Sequence, residues 1–226
     1  MSGSVAIVVG AGGELGQAVA EALASAGYTV VGVDRTEQKL RELPGGIRWV
    51  QGDATDPAAA KNLVDRIAAE VGPPEVLVNT IGMFRLGESV AVTPEDLKVL
   101  MDVNLGAALW LSQAVEPYMR QNDKGSIVHV SARPAADPTA GLAAYSLSKA
   151  ALSHLIRILD LELRPHGIRV NAVAPQLIDT AVNRASFPAE LLAHAVRPAA
   201  IANVIAFLAG DLAAPVSGAI VPAYGA

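Results

Sequence analysis

The sequence predicts an α/β chain. It reads as one domain, residues 1–226, built on a doubly wound parallel sheet of about seven strands with helices on both faces. Three observations carry that prediction. Short β-branched runs alternate with helical patterns along the whole length, as crossover connections in one parallel sheet require. The composition is 52% hydrophobic but only 4% aromatic, so the core is drawn from Ala, Val, Leu and Ile, which suits strands buried on both faces. The 226 residues fit a single unit, and no linker, repeat or low-complexity stretch divides them.

The bulk numbers also narrow the partners. A net charge of −5 argues against nucleic acid or an anionic membrane as the main partner. There is no cysteine, which excludes disulfides, a thiol nucleophile and thiolate metal sites. His129, His154, His166 and His194 lack metal-ligand spacing, so no metal is expected. The apolar run Val5 to Val9 is too short to span a bilayer and has no basic leader. A soluble cytoplasmic protein is the expectation.

The elements follow in order. Ser4 to Gly10 is a continuous apolar run, a strand buried on both faces. It enters the glycine turn Gly10-Ala11-Gly12-Gly13-Glu14-Leu15-Gly16 and a helical pattern to about Ala26. Strand, glycine turn and helix in that order aim the free N–H groups of the helix at whatever binds the turn. Tyr28 to Val33 is the second strand and ends in Asp34, 18 residues after Gly16. That is where dinucleotide folds carry the acid that binds the adenosine ribose. Ile47 to Gln51 is a strand, Pro57 to Val71 a helix opened by Pro, and Val76 to Thr80 a strand. One long helix is expected from about Pro94 to Arg120, with Thr93 as N-cap and Glu95 and Asp96 in its first turn. Ser126 to Val130 is the next strand. A helix carrying Tyr145 and Lys149 then runs to about Arg164, stopped by Pro165 and Gly167. Ile168 to Val173 is a strand, Arg197 to Ala209 a helix opened by Pro198, and Ala219 to Val221 the last strand. Asp179 to Ala195 is the least regular stretch and is expected to be a substrate flap within the domain.

Ligands of such sheets bind beyond the carboxyl ends of the strands. That edge gathers Gly10 to Gly16, Asp34, Asp53, Asn79 to Gly82, Ser131 to Arg133 and Pro175 to Thr180. Tyr145 opens the helix after the Ser131 loop and comes to the same edge. Tyr145 and Lys149 are four apart, so phenol and ammonium share one helix face. A neighbouring cation favours phenolate, which would make the tyrosine a usable acid and base. The plainer reading of the pair is a surface helix contact.

The motifs, taken together, resemble the short-chain dehydrogenase/reductase family over nearly the whole chain. They are the glycine turn, Gly52-Asp53-Ala54-Thr55-Asp56, Asn79-Thr80-Ile81-Gly82, Val103-Asn104-Leu105 and Gly125 to Ser131. Tyr145-Ser146-Leu147-Ser148-Lys149, Ile168 to Pro175, and Thr180 complete the set in the family's order. The resemblance implies an NAD(P)-binding Rossmann fold and an oxidoreductase acting on CH–OH donors or carbonyls. It implies Tyr145 as general acid or base, with Lys149 lowering its pKa and holding the nicotinamide ribose. Ser131 would bond the substrate oxygen, and Asn104 would hold a water leading from Lys149 to solvent or else fix a helix irregularity. The cofactor would meet Gly10, Gly12, Gly13, Glu14, Leu15, Gly16, Asp34, Arg35, Asp53, Ala54, Asn79, Gly82, Pro175, Ile178 and Thr180, besides Tyr145 and Lys149. A helix N-terminal carboxylate is the other reading of Asp53. Asp34 favours NAD(H) over NADP(H), because a carboxylate repels a 2′-phosphate; Arg35 is the dissenting feature. A small-molecule carbonyl or alcohol substrate would be walled by Met83, Phe84, Arg133, Gln176, Leu177, Val182 and Phe187. A homo-oligomer, dimer or tetramer, would form through the helices that begin at Pro94 and Tyr145.

Departures from the pattern bear on the site. Glu14 stands where the family has its second glycine; Gly13 is expected to take over that role, with Glu14 turned to solvent. The Ser131-to-Tyr145 spacing is one longer than in most members, and the usual serine position is Ala132. Either the loop holds an extra residue and Ser131 serves, or the site has no catalytic serine. Ala132-Arg133 and Asp179-Thr180-Ala181-Val182-Asn183-Arg184 resemble the dihydropteridine reductase branch, which uses Tyr and Lys without the serine and asparagine. A non-catalytic dinucleotide-binding sensor is the reading from another class, against which Tyr145, Lys149 and Asn104 are all retained.

Overall fold

The computed structural model describes residues 3–225, so residues 1, 2 and 226 of the expected domain lie outside the described residues. The first half runs β1 (Val5–Val9), α1 (Glu14–Ser25), β2 (Thr29–Asp34), α2 (Glu37–Leu40), β3 (Arg48–Gln51), α3 (Pro57–Glu70) and β4 (Pro74–Asn79). The middle runs α4 (Pro94–Met101), α5 (Ala107–Gln121), β5 (Gly125–Val130) and α6 (Ala143–Leu163). The chain closes with β6 (Ile168–Pro175), α7 (Ala181–Ser186), α8 (Ala189–Leu192), α9 (Pro198–Ala209) and β7 (Ile220–Ala223).

All strand pairs are parallel, in the order β3-β2-β1-β4-β5-β6-β7. Strand alternation divides the core in two. Val5, Ile7 and Val9 of β1 face the cluster shared with α3, α5 and α6, whereas Ala6 and Val8 face the cluster under α1 and α9. The order reverses at β1 and β4, where Val9 lies beside both Val33 and Asn79. Connections from β1 and β4 leave that point in opposite directions and open a cleft between them.

One expected element is corrected. The helix from Pro94 to Arg120 is two helices, α4 and α5, separated by a π-helical turn over Asp102–Gly106. Its N-terminus is as expected: Thr93 and Asp96 form a reciprocal capping box. The π turn carries one extra residue at Asn104, whose buried amide binds outside the helix, and such bulges mark functional positions. The flap region also gains structure, since Asp179 to Ala195 contains the short helices α7 and α8.

Candidate active site

The glycine turn is built by close approach. Gly10 has φ +85°, a left-handed conformation, and its N–H and that of Ala11 donate to the Val33 carbonyl at 2.8 and 3.0 Å. A β-carbon on Gly16 would lie 2.1 Å from the Gly10 carbonyl oxygen, so only glycine lets α1 start against the turn. Gly12 packs on Asp34: its N–H donates to Oδ2 at 3.1 Å, and a β-carbon there would come within 2.8 Å of the same oxygen. Gly13 is different, with its nearest contact an ordinary 3.5 Å, so it does not take over a close-packing glycine role. It is the N-cap of α1 and supplies no side-chain cap, leaving the first N–H groups of that helix open to an anion. Leu15 is buried and forms part of the cleft wall.

Glu14 is exposed, as expected, but its carboxylate is not free. Its Oε1 accepts the Ala181 N–H of α7 at 2.6 Å, and its Oε2 lies 3.8 Å from an Arg184 nitrogen.

At the end of β2, the Asp34 carboxylate also accepts the Thr36 N–H, at 3.0 Å. Arg35 pairs with Asp53 at 3.8 Å, both half exposed. Burial opposes ionisation of Asp53, but the Thr55 N–H and hydroxyl and then Arg35 outweigh it and hold the carboxyl below its ordinary value. Asp53 is not a helix cap. Asp56 is the N-cap of α3, accepting the Ala59 N–H at 2.8 Å. Ala54 is buried beside it. The sequence reading missed Lys39, whose stem lies against Gly12 and Asp34. The four-residue helix that carries it is too short to show a periodic signal.

Deeper in the cleft, Lys149 is buried and donates from Nζ to the Val130 carbonyl at 2.8 Å. Burial lowers its pKa to about 8. Tyr145 sits one turn earlier on α6, and among the described residues its hydroxyl has no hydrogen-bond partner. The expected lowering of the phenol by its neighbour is not found; burial pushes Tyr145 up to about 12. Phe84 packs edge-on against its ring at 5.0 Å, and Phe187 of the flap packs on Phe84 at 5.7 Å.

Asn104 is locked in place. Its Oδ1 accepts the Met83 N–H (2.8 Å), and its Nδ2 donates to the Met83 carbonyl and to Ser148 Oγ (both 2.9 Å). Ser148 in turn donates to the Tyr145 carbonyl at 2.8 Å, so Asn104, Met83 and α6 form one unit. A β-carbon on Gly82 would sit 3.3 Å from Lys149 Nζ, so this glycine lets the loop cross directly over the lysine.

The side chain of Asn79 turns inward: Oδ1 accepts the Ile81 N–H at 2.9 Å, and Nδ2 meets His129 Nδ1 at 3.3 Å. His129 reaches Ser112 Oγ at 3.0 Å; burial first, and the Lys149 charge second, lower its pKa to about 3.

Ser131 lines the cleft, but its Oγ lies 2.7 Å from Ser153 Oγ and 3.4 Å from the Lys149 carbonyl oxygen, so its hydroxyl is engaged with α6. Ala132 occupies the usual serine position and joins the cleft wall. On the far wall Pro175 ends β6, Ile178 forms a bridge to Val196, and the Thr180 hydroxyl caps α7 by accepting the Asn183 N–H at 3.3 Å.

The cleft these elements enclose has a volume of about 510 Å³ and runs from Leu15 past Gly82, Tyr145 and Lys149 to Gln176 and Phe187. An uncapped helix start, a carboxylate packed against the glycine turn and a buried lysine under a glycine loop suit a nicotinamide dinucleotide. Among the described residues there is no cluster of metal ligands, and no helix is long and apolar enough to cross a membrane.

Comparison with known proteins agrees with this geometry. Residues 4–191 match the family model for short chain dehydrogenases. Galactitol 2-dehydrogenase of Rhizobium johnstonii is 34% identical over 240 aligned positions, covering 98% of this chain and 93% of that protein. The 3-oxoacyl-acyl-carrier-protein reductase FabG of Escherichia coli is 31% identical, covering 96% of this chain and 93% of its own. A short-chain type dehydrogenase/reductase from Mycobacterium ulcerans superposes with a TM-score of 0.90 at 27% identity, over 98% of this chain and 89% of that one.

Proposed function

Since the chain belongs to the short-chain dehydrogenase/reductase family of oxidoreductases, whose members bind a nicotinamide dinucleotide, we propose that it transfers hydride between NAD(H) and a small carbonyl or alcohol substrate. One observation carries the reading. A buried lysine with only a backbone carbonyl for company lies one helical turn from a tyrosine whose hydroxyl is unpartnered in the same cleft. A group buried at such cost, without a carboxylate, belongs to chemistry rather than to stability.

The bound dinucleotide supplies the hydride. Glycines 10, 12 and 16 and the open start of α1 would hold its diphosphate, and Asp34 would take the adenosine ribose. Asp34 already accepts two N–H groups and would repel a 2′-phosphate, and Arg35 faces Asp53, which together favour NAD(H) although the Lys39 stem lies close by. Burial raises the Tyr145 phenol to about 12, so it is protonated at neutral pH and can act as general acid on a carbonyl oxygen, and as the corresponding base in the reverse direction. Lys149, poised near 8, restores that proton, with Asn104 fixing the loop above it. Ser131 holds α6 to the end of β5 and does not touch substrate. Replacing Tyr145 by Phe should lower NADH-dependent turnover by about 10²–10⁴-fold while NADH fluorescence titration still reports binding. Full turnover in that variant would refute the mechanism.

A second reading is favoured by Ser131 itself. A Tyr–Lys site without a working serine, with Arg133 beside the cleft, suits a dihydropteridine-reductase-like NADH-dependent reductase. Assay of quinonoid dihydropterin against a ketone panel separates the two. We also assign the protein to the cytoplasm, as a homo-oligomer joined through α5 and α6. On α6, Leu147 and Leu161 are 60% and 71% exposed, apolar surface that a partner copy would cover. Light scattering on the purified chain tests this.

A further inference from the structure

Glu14 is the first residue of α1, in the turn that receives the cofactor diphosphate if the function proposed above holds. A bare carboxylate there would repel that ligand. It is not bare. One oxygen accepts the Ala181 N–H at 2.6 Å across a sequence separation of 167 residues, and the other faces Arg184 at 3.8 Å. Arg184 is itself fixed by Asp179, donating to Oδ1 at 2.6 Å and to the backbone carbonyl at 3.3 Å.

We propose that Glu14 and Arg184 form a clasp between the glycine turn and the flap, in which the flap arginine screens the turn's carboxylate from the cofactor. The clasp has two consequences. Arg184 makes a carboxylate tolerable beside a diphosphate without touching the cofactor, and Glu14 sets the resting position of α7, the helix that leads to Phe187, which packs on Phe84 beside Tyr145. Both are positioning residues, coupled through each other. The contact is an exposed one, so its effects are modest and salt-sensitive.

The test is a double-mutant cycle on the full chain, read by NADH fluorescence titration. Arg184→Gln should weaken NADH binding about three- to fivefold in the presence of Glu14, and by less than about 1.5-fold in the Glu14→Gln background. Glu14→Gln alone keeps an oxygen for the Ala181 N–H, loses the charge, and should bind NADH at least as tightly as the parent. An equal loss in both backgrounds would mean that Arg184 acts on the cofactor directly, and no loss in either would mean that the screening does not exist; each overturns the clasp. Independently of any cofactor, Glu14→Ala should speed amide hydrogen exchange across residues 181–186 by about threefold. Unchanged exchange there overturns the positioning role. If the parent chain fails to bind NADH at all, the proposed function falls, and the exchange experiment still decides the clasp.

Discussion

Two concave regions lie at opposite ends of the same sheet, and volume picks the wrong one. The cavity at the amino ends of β4, β5 and β6 is the larger, about 730 Å³ against about 510 Å³ for the cleft at the carboxyl ends. It is also rich in charge, with Glu75, Lys124, Arg169 and Asp211 on its walls. Each of those cations has a structural partner. Arg169 donates to the carbonyls of Leu208, Ala209, Gly210 and Val216, closing the C-terminal end of α9, and Lys124 lies between Glu75 and Asp211. At the carboxyl end Lys149 is buried on a single carbonyl, that of Val130, against the four that hold the part-buried Arg169, and among the described residues the Tyr145 hydroxyl has no partner. Fully satisfied charge suits the end that stabilises the fold; a buried charge with one partner suits the end proposed to react.

That contrast predicts opposite signs for substitutions at the two ends. Lys149→Met should cut turnover by about 100-fold or more, yet raise stability at pH 7 by about 1–3 kcal/mol, because it removes an ammonium held below its ordinary pKa. Assay and urea unfolding on one preparation measure both; a fall in stability would break the contrast. His129 comes next. Its folded pKa of about 3 lies below the unfolded 6.5, so the unfolded state binds the extra proton and stability falls as pH drops through that window. The expected loss is about 2 kcal/mol between about pH 7 and about pH 5, with a shallower slope in His129→Gln. At the other end, Arg169→Met should cost about 1–2 kcal/mol by thermal unfolding and leave turnover within about twofold. Lys124→Met, whose side chain is 58% exposed, should cost no more than about 0.5 kcal/mol and change no kinetic constant.

The strands were legible because parallel strands buried on both faces read as unbroken β-branched runs; β1 and β6 are of this kind and were located to within a residue or two. The positions of Asp34 at the end of β2 and of Tyr145 and Lys149 in the cleft were legible because their spacing follows from strand–turn–helix geometry. The rest depended on contacts that leave no local trace. A π turn adds one residue without disturbing the apolar pattern of α4 and α5, so the helix reads as unbroken, although the alternative reading of Asn104 as fixing a helix irregularity agrees with the π turn. Whether Ser131 faces the cleft or Ser153 depends on where a strand ends, which periodicity locates poorly. The destination of Glu14 is set by a residue 167 positions away, beyond any window a pattern can span. The signal for Ser148 was present in Tyr145-Ser146-Leu147-Ser148-Lys149, since a serine three after the tyrosine can return its hydroxyl to that residue's carbonyl.

The strand order has a consequence for how the chain assembles. β1, the first of the seven strands in chain order, takes as its second neighbour β4, about 70 residues later, with the intervening strands β2 and β3 on its other side. The middle of the sheet therefore closes by a long-range pairing, the slow kind of event in folding. Until β4 has docked beside it, β1 has no neighbour on that edge, and its unpaired N–H and C=O groups and apolar side chains are exposed to misassociation. The cleft opens at this same seam, so the residues proposed to hold the cofactor come into register only when the two halves of the sheet join.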